Sequence, residues 1–250
     1  MNQFCTLVLA GGYGSRLGEI GKHTAKPLLK IGRQCLVDYA LDKIGDIDDR
    51  AAIYVLVNSR FFADYQEWVA GHLHATRLIL VNGQRKTESV SAGIITNIAR
   101  TLESQQITTD VLIVGGDNLF DFSLRDFVAF GRTHGVSTIV VDAGSPVDAA
   151  RFSVVVLGEN ERIVALQEKP QSPASTLVTT CIYWFPAAAL RLFTEYARTG
   201  AVAHSFGEFM QWLAAREPIY GFPARGSWFD VGTVDVLREL QLRFAEPDDE

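Results

Sequence analysis

Leu7-Val8-Leu9-Ala10-Gly11-Gly12-Tyr13-Gly14-Ser15-Arg16-Leu17 is the stretch that decides how this chain is read, and Lys26-Pro27-Leu28 follows it closely. An apolar run enters a glycine-dense turn, which delivers an arginine and then a lysine. Glycines allow close approach of a ligand, backbone N–H groups can point at an anion, and two cations stand nearby. The pattern points to polyphosphate chemistry, and so to a nucleotide. The dinucleotide fingerprint fails: after Gly12 and Gly14 the third position is Leu17, and the second strand ends in Val57-Asn58 with no acidic residue for a ribose hydroxyl. The stretch does not fit the Walker spacing GxxxxGK[ST] either. Taken alone it also fits an ordinary strand-to-helix turn.

The surrounding pattern predicts the fold. Near-continuous apolar runs predict strands over 4–10, 52–57, 77–81 and 111–114, buried on both faces. Helices are expected over 35–44, 61–73, 89–102 and 124–133, the last behind Ser123 as its N-cap. Such alternation implies right-handed crossovers and a doubly wound α/β sheet. The texture then changes, with strands expected over 137–142, 152–157, 163–167 and 179–185 and a hairpin connection at Gly158-Glu159-Asn160-Glu161. Helices return over 187–198, 206–215 and 234–243. The expectation is a mostly parallel, mixed sheet flanked by helices, in one compact unit over 1–245 with a frayed acidic tail at 246–250.

Composition excludes several classes. The chain has 250 residues, 48% hydrophobic and 21% charged, enough to bury a full core. A net charge of −6 leaves no basic footprint, so no nucleic-acid partner is expected. No run approaches the roughly 20 apolar residues of a membrane span, so no membrane partner is expected. The first strand is read as beginning at once, so no signal peptide is expected. Cys5, Cys35 and Cys181 are an odd count without CxxC spacing and read as free thiols in a reducing compartment. Cytoplasmic location is the expectation. His23, His72, His74, His134 and His204 show no metal-ligand spacing, and His72 and His74 read as the end of a helix and the start of a loop.

Three further motifs carry chemistry, each with a plainer alternative. Gly115-Gly116-Asp117-Asn118 follows an apolar strand, where ligands of open α/β sheets bind. Its carboxylate suits magnesium, or else bonds its own turn. Gln167-Glu168-Lys169-Pro170 ends a strand, where the lysine could hold a phosphate and the glutamate could accept from hydroxyls. Neighbours on a strand point to opposite faces, so no mutual ion pair is expected, and a solvated strand end is the alternative. In Trp228-Phe229-Asp230-Val231-Gly232-Thr233 an aspartate between bulky apolar residues demands a partner. A metal would serve, and so would a helix N-cap role for Asp230 or Thr233.

In this order, LAGGYGSRL, KPL, GGDN, EKP and WFDVGT resemble one family across nearly the whole chain: the sugar-phosphate nucleotidylyltransferases, in particular the short thymidylyl- and uridylyltransferases. The resemblance implies a Rossmann-like nucleotidyltransferase fold. Residues 1–120 would form a nucleotide-binding half and 121–245 an acceptor-binding half. The nucleotide would be bound by Leu9, Ala10, Gly11, Gly12, Gly14, Ser15, Arg16, Asn82, Ser89 and Gly116. Arg16, Lys26 and Lys169 would be catalytic, Asp117 and Asp230 would hold Mg2+, and Glu168, Lys169, Ser153 and Cys181 would meet the acceptor. The implied partners are a nucleoside triphosphate and a phosphorylated small-molecule acceptor. Relatives form dimers or tetramers, and a homo-oligomer is left open.

Some residues depart from the family pattern. Relatives carry Gly-Thr-Ala or Gly-Leu-Ala after the third strand. Here Ser89-Val90-Ser91-Ala92-Gly93 is similar instead to cytidylyltransferases of isoprenoid synthesis. Ser153 and Cys181 stand where relatives acting on glucose 1-phosphate tend to have glycine, and residues 18–25 lack the usual Pro-x-Thr. These departures keep in view a cytidylyltransferase acting on a non-sugar phosphate or phosphonate; a regulatory homologue that binds nucleotides without turnover is a separate alternative, against which the five intact charged positions argue.

Overall fold

A computed structural model describes residues 4–12, 14–47, 51–83, 93–200 and 205–245. In chain order the elements are β1 (Phe4–Ala10), α1 (Glu19–His23), β2 (Lys30–Ile31), β3 (Gln34–Cys35), α2 (Leu36–Gly45), β4 (Ile53–Asn58), α3 (Phe62–Ala70) and β5 (Leu78–Gly83). There follow α4 (Ile94–Ser104), β6 (Asp110–Gly115), β7 (Asn118–Phe120), α5 (Leu124–His134), β8 (Ser137–Asp142), α6 (Pro146–Ala149), β9 (Ser153–Leu157), β10 (Ile163–Glu168) and β11 (Leu177–Phe185). The last are α7 (Arg191–Arg198), α8 (Phe206–Ala214), β12 (Tyr220–Pro223), β13 (Trp228–Asp230) and α9 (Val234–Arg243). Among the described residues, nine strands form the mixed sheet that the alternation predicts, with helices flanking it. The short pairs β2–β3 and β7–β13 were not legible, because two or three residues display no period.

The chain divides into two compact units with interleaved segments. One comprises Thr6–Gly83, Val114–Leu124 and Gly226–Glu250. Here β1, β4 and β5 pair in parallel, with Ala10 beside Val57 and Val57 beside Asn82. A second core gathers Leu17, Ile31, Leu36, Leu119, Val231, Leu237 and Leu240, so α9 and the β7–β13 pair are anchored to the segment after the glycine loop. Thr233 caps α9 by accepting from the Val236 N–H, which settles the capping question against Asp230.

The other unit comprises Met1–Cys5, Gln84–Ile113 and Arg125–Arg225. Antiparallel β9–β10 forms the expected hairpin, and β11 pairs antiparallel with β8. The hairpin turn uses Asn160 and Glu161 at φ 52° and 57°, a backbone region unusual for side-chain-bearing residues. The core is aromatic: Phe193 stacks on Phe209 at 4.9 Å, and Phe185 and Phe206 complete the group. Burial pushes the Cys5 thiol up to about 11, so it is a packed, protonated thiol and not a nucleophile.

Gly131 in α5 is a fixed point of this core, since a Cβ there would collide with the fully buried Trp184 indole. Gly131→Ala is expected to lower stability by about 1–3 kcal/mol through overpacking, read as a lowered urea midpoint.

Candidate active site

The glycine loop leaves β1 and is shaped by close approaches. Gly14 sits at φ 60°, a left-handed conformation that glycine adopts without strain. A side chain on Gly21 of α1 would collide with the Gly14 carbonyl, so α1 can fold against the loop only with glycine there. The Gly116 N–H donates to the Leu9 carbonyl at 3.0 Å, and a Cβ on Gly116 would lie 3.2 Å from Val8 Cγ1. The segment after β6 therefore lies directly against the end of β1.

Lys26 opens a short 3-10 turn with Pro27 and is buried. Its Nζ lies 2.6 Å from Asp117 Oδ2 and 3.3 Å from Asp230 Oδ1. Both carboxylates thus converge on one positive charge. The β7–β13 ladder explains how: Asp230 pairs with Asn118, and the Val231 N–H donates to the Asp117 carbonyl at 3.2 Å. Asn118 donates to Asp117 Oδ1 at 3.0 Å and accepts from the Trp228 indole at 2.6 Å, which fixes the orientation of its amide. A Cβ on Gly232 would lie 3.2 Å from Asp230 Oδ2 and 3.4 Å from Arg16 Nη1, so the exposed Arg16 guanidinium borders the same spot as the Asp230 carboxylate.

A second cluster lies in the other unit. Ser153 donates to Glu168 Oε2, and Lys169 Nζ lies 3.5 Å from Glu168 Oε1. This ion pair corrects the strand-alternation argument. The strand ends at Glu168, and Lys169 beyond it has φ 44°, which turns its side chain back toward its neighbour. A left-handed lysine is strained, and such strain is typical of functional sites. Gly207 at the start of α8 leaves room for the Glu168 carboxylate and the Ser153 hydroxyl, both of which a Cβ would strike. Cys181 is half-buried in β11. Burial first, then Cys181 and Glu168, pushes the buried Tyr183 phenol up, while a hydrogen bond with Thr179 opposes this.

The family model for nucleotidyl transferases matches residues 5–246. The chain belongs to the nucleotidyl transferase family. Its members transfer nucleotidyl groups, and this chain is an enzyme of that kind. Among solved structures, a Bacillus anthracis protein assigned as a glucose-1-phosphate thymidylyltransferase, crystallised with sucrose, is 23% identical with a TM-score of 0.81. The match covers 99% of this chain and 97% of that one. A UDP-glucose pyrophosphorylase complexed with UDP-glucose is 15% identical with a TM-score of 0.78, covering 98% of both chains. At these identities the likeness is one of fold. The comparisons lend no support to the cytidylyltransferase alternative.

Arg16, Lys26, Asp117 and Asp230 therefore come together near Gly14 and Gly116, while Glu168, Lys169 and Ser153 form their own cluster. Asn82 is exposed on β5, and Ser89 lies outside the described residues. Sequence reading missed Asn118, Asn58 and Tyr65. The adjacency of Asn118 to Asp117 was a usable signal, but the other two carried none. His72 is more than a helix end: its Nε2 lies 3.3 Å from Asp38 Oδ1. Among the described residues no helix is long and apolar enough to cross a membrane, and no group of three or more His, Cys, Asp or Glu side chains is placed to hold a metal.

Lys26→Met leaves two carboxylates facing one another. It is expected to cost roughly 2–4 kcal/mol, short of the fully buried limit because both carboxylates keep some solvent. Adding Asp117→Asn is expected to recover part of that loss, a coupling of about 1–3 kcal/mol in a double-mutant cycle by urea denaturation.

Proposed function

We propose that this nucleotidyltransferase joins a nucleoside triphosphate to a sugar 1-phosphate, giving a nucleoside-diphosphate sugar and pyrophosphate. The observation that carries the reading is the convergence of Asp117 and Asp230 on Lys26, next to the glycine loop. The fold shared with a thymidylyltransferase and a UDP-glucose pyrophosphorylase supports the substrate class.

The donor set fits a divalent cation. Two carboxylates already gather around one positive charge, and magnesium is commonly held by one or two carboxylates with substrate phosphates and water completing its shell. Mg2+ on Asp117 and Asp230 would offset the repulsion between the two phosphates.

The chain's own residues account for the rest. An acceptor phosphate oxygen forms a bond to the α-phosphorus. The bond from that phosphorus to its bridging oxygen breaks, and pyrophosphate leaves with the electron pair. The nucleophile is already anionic, so no general base is needed, and catalysis reduces to positioning and charge neutralisation. Arg16 neutralises the departing pyrophosphate, and Lys26 stabilises charge on the α-phosphate. Lys169 holds the acceptor phosphate and Glu168 accepts from acceptor hydroxyls. Ser153 engages one Glu168 oxygen and Lys169 faces the other, so the acceptor meets a carboxylate held from both sides.

Pyrophosphate release with Mg2+ tests the reading, with each common nucleoside triphosphate set against hexose 1-phosphates, deoxy and amino sugar 1-phosphates, phosphocholine and phosphonates. Release with dTTP or UTP and a sugar 1-phosphate is the expected result. Release with non-sugar acceptors alone, or nucleotide binding without release on any of them, would sink it. Asp117→Asn and Asp230→Asn are each expected to lower kcat/KM about a hundredfold or more. Ser153→Gly is expected to shift the kcat/KM ratio about tenfold toward acceptors with a full set of hydroxyls, with the nucleotide KM within about twofold of the original.

A further inference from the structure

Two buried side chains outside the proposed catalytic set hold the glycine loop. The Tyr65 hydroxyl donates to the Ala10 carbonyl at 3.0 Å, and Asn58 Nδ2 donates to the Gly11 carbonyl at 3.1 Å. Tyr65 is fully buried and Asn58 nearly so. The Asn58 amide cannot be reversed without loss, because its Oδ1 accepts from the Phe61 N–H at 3.2 Å and caps the turn after β4. Burial first, then the Asp117 carboxylate and others nearby, pushes the Tyr65 phenol up, so it stays a donor across the working pH range.

In a trans peptide the C=O and N–H of one unit point in opposite directions, and no cis bond occurs among the described residues. The unit whose carbonyl belongs to Ala10 carries the Gly11 N–H. The next unit, whose carbonyl belongs to Gly11, carries the Gly12 N–H. Each carbonyl held by Tyr65 or Asn58 therefore turns the N–H of its own peptide unit away from the side chain that holds it. Gly12 is exposed, and a Cβ built there meets nothing within 4 Å, so the loop has open space at that point. Successive amides directed toward open space make an anion-binding surface.

We propose that Asn58 and Tyr65 are positioning residues that aim the Gly11 and Gly12 amides at phosphate oxygens of the bound nucleoside triphosphate; the proposal rests on the nucleotide reading above. Its discriminating variant is Asn58→Asp. The carboxylate still accepts from Phe61 N–H but no longer donates to Gly11, which separates a loop-holding role from a capping role. Tyr65→Phe removes only the hydroxyl. Tyr39→Phe is the control, because it removes a comparable hydrogen bond to the Ile31 carbonyl, at 2.7 Å in the same unit.

The experiment is calorimetric titration of the wild type and the three variants with dTTP, UTP, CTP, ATP and GTP in Mg2+, with a thermal melt of each. The expected result is a Kd raised about tenfold or more in Asn58→Asp and in Tyr65→Phe, with Tyr39→Phe within about twofold of wild type. If Asn58→Asp fails to fold, Tyr65→Phe alone decides. Wild-type binding with both loop variants within about twofold would overturn the positioning role and leave the nucleotide reading standing. Equal weakening in all three variants, tracking their melting temperatures, would also overturn it. A wild type that binds none of the five would overturn the nucleotide reading, and this proposal with it.

Discussion

Lys26 lies between Asp117 and Asp230, and much of its unit is arranged to keep it there. Two carboxylates this close repel unless a cation or a shared proton intervenes, and nearby anions keep a buried ammonium charged. Each group therefore stabilises the others. The three come from segments far apart in the chain: a 3-10 turn after the glycine loop, the loop after β6, and the end of β13. The main chain joins them through the Val231–Asp117 hydrogen bond and the packing of α9 under Leu17. The three groups carry one net negative charge, which leaves the site receptive to a further cation. Any incoming cation or phosphate must compete with an existing ion pair, so ligand binding there is an exchange of partners.

Legibility followed the length of each pattern. β1, β4, β6 and β8 announced themselves as apolar runs, and the turn residues of the β9–β10 hairpin were visible as punctuation. Asp117 and Asp230 could be singled out, but not brought together. The two strands that pair them have three residues each, and their pairing joins positions 110 residues apart in the chain. Asn58 was read as the end of a strand, which it is; nothing in its neighbours told that its amide would reach back to Gly11. The Glu168–Lys169 pair failed for a definite reason. Period-two alternation governs residues inside a strand, and Lys169 lies one step beyond it in a left-handed conformation.

The glycines show what a dense glycine pattern means in this chain. Left-handed backbone accounts for Gly14, but Gly21, Gly116 and Gly207 do different work. At Gly21 and Gly207 a Cβ would strike the Gly14 carbonyl or the Glu168–Ser153 pair, and at Gly116 it would crowd the end of β1. The absent side chain lets a backbone or carboxylate oxygen come close enough to define a site. Flexibility would be a poor explanation for such positions, because a site that relies on charge neutralisation must hold its charges at fixed separations. The glycine loop is then better described as a pinned backbone than a mobile one. Among its described residues, the Ala10 and Gly11 carbonyls are tied to Tyr65 and Asn58, its helix is pressed against Gly14 through Gly21, and Gly12 faces open space.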